Sequence, residues 1–415
     1  MPIDLSALMG GKSESFSLTP VLDYDARAKS ALVNGEVKLT VHEDFLTIAA
    51  IFDVVEIRFV EIEKIELSDY TVKIVTESGE IILSGMGSWC EPFYYTLCDA
   101  YGKKVLKAMF VKGDPIFAAS GNYSYLENGA RRGGGAPILL YENCVVILPP
   151  SCDARRVPLS FVTDINKGDY ELTLNLGSEE SYTFSKLGYD FAPFVDNIEQ
   201  RIRKIRENVV KAINELDPSL LSIQASQIAK IMPEGAAAPF GGLFEISPSF
   251  VSAVETKINE SRAASSYKTL AEIAGPSNIC VGFKKNQPSG ADKLGEILVA
   301  DQYMMWMVSP GADGKTAIVE FIVAKDDSAA TFVYSFPYGS FFSFVARLNR
   351  ALEAIDLKRE VIRLSDEELR NPDNVDYFMA AKRTASLQFV RSHFFTRIIH
   401  SSADSWEKKL LSLWQ

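Results

Sequence analysis

The segment Ser185-Lys-Leu-Gly-Tyr-Asp-Phe-Ala-Pro-Phe194 has a counterpart 101 residues earlier, Ser84-Gly-Met-Gly-Ser-Trp-Cys-Glu-Pro-Phe93. Ser, Gly, Pro and Phe stand in equivalent places, and Met replaces Leu. A fainter match follows 150 residues on, at Ser335-Phe-Pro-Tyr-Gly-Ser-Phe-Phe-Ser-Phe344. In each place a two-residue alternation of apolar side chains gives way, across a Gly-bearing turn, to a helical period. A chain that repeats this change at a fixed spacing is constrained to build the same kind of body more than once.

Taken in order, residues 1 to 15 read as a polar arm. Gly11-Lys12-Ser13 copies the end of a phosphate-binding loop, but Ser6 stands where its first Gly belongs and no buried strand precedes it. Alternation from Gly35 through Leu83 predicts about six short strands, and Tyr94, Leu97, Tyr101, Val105 and Met109 predict a covering helix. The pattern returns with Ile138, Leu140, Val145 and Ile147, then Tyr170, Leu172 and Leu174, and a helix from Phe194 to Leu216. Asp217-Pro218 and Ser247-Pro248 each read as an N-cap followed by proline at the first helical position, the first helix running to about Met232. Strands are expected at Ile279–Phe283, Ile297–Val299, Met304–Val308, Ile318–Val323 and Thr331–Ser335, followed by a helix on Phe344, Leu348, Leu352 and Ile355. The tail is expected to be helical from Val375 onward. These expectations divide the chain into units at 16–112 and 113–216, a helical linker at 217–265, a divergent third unit at 266–364 and a helical tail at 365–415.

The net charge of −11 argues against attraction of the whole molecule to phosphate-rich surfaces. The first 112 residues hold about −6 of it, the next unit about −3 and the remainder about −2. Five cysteines, an odd number without a CxxC pair, favour neither a disulfide frame nor a zinc site, and suggest buried free thiols in a reducing compartment. With no basic flank leading an apolar run, the expected location is cytoplasmic.

The run Phe59-Val-Glu-Ile-Glu-Lys-Ile-Glu-Leu67, the alternating strands after it and the closing helix resemble the bacterial pleckstrin-homology-like (PH-like) domains, arranged in tandem. The resemblance covers about residues 35 to 215, and more weakly 265 to 358. It implies an α+β fold in which a curved antiparallel meander, a partly open barrel, is closed each time by a C-terminal helix. Phosphoinositide-binding members carry a basic first hairpin. Here the matching turns are His42-Glu43-Asp44 and Tyr141-Glu142-Asn143, which argues against a lipid head group and leaves protein or peptide docking.

Few residues suggest chemistry. His42, His393 and His400 are the only histidines; His393 and His400 are seven apart, so they could share a helix face, but two ligands do not make a metal site. No nucleophile elbow is present, and no metal, cofactor or catalytic residue is expected. Gly129-Ala-Arg-Arg-Gly-Gly-Gly135 reads as a mobile loop whose Arg131 and Arg132, with Arg155, Arg156, Arg201 and Arg203, would form a patch for anions or acidic peptides. Ion pairs to Asp153 and Glu142 are the competing fate of these arginines. The tail sets Lys382, Arg383, Arg391, Arg397, Lys408 and Lys409 among Phe389, Phe394, Phe395, Trp406 and Trp414, a composition suited to a membrane surface or to internal packing. The expected function is a non-enzymatic scaffold or adaptor that binds a protein or peptide partner. A membrane-surface adaptor and a histone-chaperone-like, nucleic-acid-associated module are the alternatives, the latter disfavoured by charge.

Overall fold

Three antiparallel sheets organise the chain in the computed structural model, which describes residues 23–285, 303–322, 330–337 and 339–414. The first sheet contains β1 (Asp23–Lys29), β2 (Asn34–Val41), β3 (Phe45–Ala49), β4 (Val54–Arg58), β5 (Ile62–Ser68), β6 (Thr71–Thr76) and β7 (Gly79–Ser84). Its spatial order is β4-β3-β2-β1-β7-β6-β5. One face is dry because alternate residues are apolar: Leu39, Ile48, Val72, Ile74 and Leu83 are all fully buried. Helix α1 (Cys90–Ala108) lays Phe93, Leu97, Tyr101 and Val105 on that face. Each such side chain contributes about 1.5–3 kcal/mol by leaving water. Phe93 is the first anchor of the stripe, whereas Tyr94, expected there, is half-buried.

The second sheet follows the same plan. Strands β8 (Phe117–Glu127), β9 (Ala130–Leu140), β10 (Cys144–Ile147), β11 (Arg155–Pro158), β12 (Val162–Gly168), β13 (Glu171–Leu176) and β14 (Ser181–Ser185) lie in the order β11-β10-β9-β8-β14-β13-β12. The two orders coincide strand for strand. Helix α2 (Phe191–Leu216) covers the sheet with Phe194, Ile198 and Ile202, and its far end joins a second cluster through Val209 and Ile213.

Of the expected loop at Gly129–Gly135, only Gly129 lies in a turn; the rest is the start of β9, which pairs with β8 from Ala130↔Glu127 to Leu140↔Phe117. A Cβ on Gly133 would lie 2.7 Å from the Tyr123 carbonyl oxygen, so this position of the ladder requires glycine, whereas a Cβ at Gly134 or Gly135 would make only ordinary contacts of 3.5 Å or more.

The segment after α2 is helical, with one correction. Asp217 ends α2 rather than starting the next helix; its carboxylate accepts from the Ser219 amide and hydroxyl and from the Ser249 hydroxyl. Helix α3 (Ser222–Ile231) begins five residues later, and the Gln224 side chain accepts from the Leu221 amide. The short strand β15 (Ala238–Pro239) and helix α4 (Phe240–Ile246) follow. Helix α5 (Pro248–Asn259) is capped as expected, Ser247 accepting from the Phe250 amide, and α6 (Ala264–Ala274) comes next.

The third sheet is a plain meander of β15, β16 (Cys280–Lys285), β17 (Tyr303–Pro310), β18 (Thr316–Ile322), β19 (Ala330–Ser335) and β20 (Phe394–Ile399). It therefore draws strands from both the expected linker and the expected tail, and is not contained in residues 266–364. Helices α7 (Phe341–Ala354), α8 (Asp366–Leu369), α9 (Val375–Lys382) and α10 (Ala385–Ser392) precede β20, and α11 (Ala403–Leu411) follows it. The expectation of a wholly helical tail is corrected by β20. Phe394 and Ile398 satisfy a helical spacing, but an extended Phe-Phe-Thr-Arg-Ile-Ile segment covers the otherwise bare edge of β19. Gly11-Lys12-Ser13 and Ile297–Val299 lie outside the described residues.

The sheets are joined to one another. Along the outer edge of β5, the Ile65 amide donates to the Pro150 carbonyl at 2.9 Å and the Cys152 amide to the Glu63 carbonyl at 2.8 Å. The β10–β11 connection thus closes one edge of the first sheet. A single apolar cluster runs from Leu39 and Phe93 through Leu139 and Val146 to Trp306, Phe332 and Leu348. Among the described residues, no helix is long and apolar enough to cross a membrane.

Candidate functional site

The six arginines singled out in the sequence do not converge on one open patch. Arg155 and Arg156, adjacent on β11, are only 7% and 9% exposed. Arg155 donates from Nε to both oxygens of Glu127 at 3.0 Å and from Nη1 to the Cys152 and Ala154 carbonyls, with its guanidinium 4.4 Å above the Tyr125 ring. Arg156 forms an ion pair with Glu353 of α7. Arg132 pairs with Asp153 at 3.0 Å and Arg201 with Glu142 at 2.9 Å, the two carboxylates named as competitors. Arg131 and Arg203 are exposed and have no ion pair among the described residues. The correction has a physical cause: a guanidinium in a covered strand requires an internal carboxylate, because an unpaired buried charge is too costly.

Around Arg155 and Arg156 lies a network that sequence reasoning missed. Arg350 of α7, 2% exposed, donates to Glu180 at 3.3 Å, to Glu353 at 3.0 Å and to the Arg156 carbonyl at 2.8 Å. The Tyr182 hydroxyl donates to Glu127 at 2.6 Å, and Ser386 of α10 donates to Glu180 at 2.6 Å. Glu127, Glu180 and Glu353 thus balance Arg155, Arg156 and Arg350. Burial alone would raise the Glu353 carboxyl, but the Arg156 and Arg350 charges outweigh it and hold this group below its usual range. Burial, with Glu180 and Glu127 beside it, pushes the Tyr182 phenol well up, so it stays protonated. The site is neutral and closed, with the Arg156 Nε its one buried side-chain atom left without a hydrogen-bond partner, and it fastens the second sheet to α7 and α10. A residue pattern could have hinted at it only through consecutive arginines inside an otherwise apolar strand.

The histidines are also engaged structurally. His42 bonds Thr47 and stacks on Phe45, and His393 caps α10 against the Phe389 carbonyl. His400 follows β20, so it shares no helix face with His393; it bonds Thr331 at 2.8 Å and Glu320 at 3.1 Å and stacks on Trp406. Among the described residues, no group of three or more His, Cys, Asp or Glu is placed to hold a metal ion. In the basic tail, Lys382 pairs with Glu77, Arg391 with Asp366 and Arg397 with Glu360, while Arg383 donates to the Tyr101 hydroxyl. Trp406 and Leu410 are buried. Phe395 and Ile399 remain exposed on one face of β20.

One uncovered apolar patch lies on the first sheet. The β3–β4 turn, closed by the Ala50 amide donating to the Asp53 carbonyl at 2.7 Å, presents Ile51 at 85% and Phe52 at 94% exposure. Val54 beside it is 66% exposed, at the start of β4, and no strand among the described residues pairs with the outer edge of β4. Next to the turn, the outward face of β1, β2 and β3 carries a hollow of about 740 Å³. Cross-strand neighbours Asp25↔Lys38 and Arg27↔Glu36 wall it, and Ala49 and Gly85 leave its floor low. In the second sheet, the connection at this place in the strand order is Leu148–Ala154, which bears the backbone contacts to β5. A scan against protein-family models and a search of curated proteins gave no match to this chain.

Proposed function

We propose that this chain is a non-enzymatic scaffold of tandem PH-like bodies that binds a protein partner through the Ala50–Asp53 turn and the adjoining edge of β4. The observation that carries this reading is the contrast between two connections at one place in the strand order. That of the second sheet engages the edge of a neighbouring sheet, whereas that of the first ends in uncovered Ile51 and Phe52. Bare apolar tips beside an open strand edge are what strand-addition docking uses: backbone bonds give affinity and side-chain anchors give selectivity. The coincidence of strand order in the first two sheets supports the PH-like assignment. The titratable clusters, being paired internally, do not favour an enzyme.

The test is quantitative capture from the native cell with the tagged full chain and its Phe52→Glu variant. Partners held by this surface should be lost from the variant while its melting temperature stays unchanged. An identical set of partners at identical yield would overturn the assignment of this surface.

A further inference from the structure

The turn and the hollow lie side by side on one face, and that adjacency bears on what the face binds. Phe52 is a projection, 94% exposed, and the hollow beside it is an open recess of about 740 Å³. The recess exists because Ala49 and Gly85 do not fill the space between longer neighbours; Gly85 sits at φ +77°, a conformation that disfavours any side chain. A knob and a hole on the same patch satisfy the requirement of a two-fold contact, in which one surface must be complementary to itself.

The charges support the same occupant. The walls hold two anions, Asp25 and Glu36, and two cations, Arg27 and Lys38. The walls of the hollow are therefore neutral, and the turn beside them adds only Asp53, on a molecule of net charge −11 whose copies repel each other in general. Arg27 and Glu36 are mostly exposed and only 3.5 Å apart, so their pairing within one copy is weak and exchangeable. A two-fold rotation can bring the cations of one patch to the anions of the other. A membrane surface, by contrast, would call for a net basic rim.

We propose that this face mediates self-association: Phe52 of one protomer seats in the hollow of a second copy of this chain, between the stems of its Arg27 and Lys38, and the second copy returns the contact. Guanidinium and ammonium groups flanking an aromatic ring add a cation–π attraction. The proposal rests on the docking role assigned to the Ala50–Asp53 turn and names the partner for it.

Sedimentation equilibrium on the full chain, over a wide concentration range, tests it. The expected result is a monomer–dimer equilibrium that tends to twice the 45.9 kDa protomer mass and stops there. Phe52→Glu should raise the dissociation constant by about thirty-fold, as loss of an interface anchor does, without moving the melting temperature. Arg27→Glu alone should weaken the dimer, and the exchange Arg27→Glu with Glu36→Arg should restore it. A single protomer mass at every concentration, a mass rising past the dimer, or a dimer indifferent to Phe52→Glu would each overturn the proposal. A monomer whose captured partners are nonetheless lost in Phe52→Glu overturns self-association and leaves the docking role standing. A dimer from which Phe52→Glu removes neither mass nor partners overturns both.

Discussion

Replacing Arg350 by Met removes one charge from the closed network while keeping most of the side chain's length. The guanidinium is 2% exposed and makes three contacts, to Glu180, Glu353 and the Arg156 carbonyl. Glu353 retains Arg156, and Glu180 retains Ser386, so no carboxylate is wholly abandoned. The balance of charge is nevertheless lost in a region that water does not reach. Breaking a buried ion pair from one side costs about 3–5 kcal/mol. We expect a loss within that range in urea unfolding followed by tryptophan fluorescence, with the denaturant slope preserved. Glu180→Gln added to Arg350→Met should cost less than the two separate losses combined, with a coupling on the order of 1–3 kcal/mol. A loss below about 1 kcal/mol, the value of an exposed pair, would refute the view that these charges act as one sealed unit.

Gly121→Ala should destabilise by about 1–3 kcal/mol in the same assay, because its Cβ would come within 2.7 Å of both Leu187 Cδ2 and the Ser185 carbonyl oxygen. Acid should unfold the protein through specific carboxylates. Burial would raise Glu77, Glu353 and Asp356, but Lys382 with Arg370, Arg156 with Arg350, and Lys284 with Lys112 respectively outweigh it and hold all three low. Folded carboxyls held below their unfolded values contribute fully above the ordinary 4.5 and 3.8, and that contribution is lost as pH falls through the folded values. The melting temperature should therefore be level from neutrality to about pH 5 and decline below it, and a level curve down to pH 3 would contradict the assignment. Burial pushes the Cys98 and Cys280 thiols up to about 12, so a thiol reagent at pH 8 should label these two only after denaturant is added.

The strands with β-branched or aromatic alternation, such as Val72-Lys-Ile74 and Tyr182-Thr-Phe184, were legible in the sequence, and so were α2 to its last residue and the Ser247-Pro248 cap. Strand β1 was not, since its inward residues beyond Tyr24 are Ala26 and Ala28, whose small side chains leave little alternation to read. The Gly129–Gly135 stretch misled because glycine marks both a pliable loop and a close approach of backbones, and only the position of Tyr123 distinguishes them. Asp217-Pro218 had the form of a helix start, but its carboxylate was taken by Ser219 and Ser249. For the arginines, local sequence carried residue type without depth. Arg155 and Arg156 look the same as Arg131 and Arg132 until Glu127 and Glu353 are brought beside them from 28 and 197 residues away. Exposure of Phe52 was likewise invisible, because an apolar residue in a strand-rich stretch is ordinarily assigned to the interior.

The place of β20 governs how the molecule can be made. While the ribosome is still producing the chain, the first two sheets have all their strands and can settle early. The third waits on residues 394–399, and until they emerge β19 offers a bare edge to whatever is nearby. Late maturation of this sheet, and the need to shield a nascent edge until that strand emerges, follow from one strand being drawn from so far along the chain.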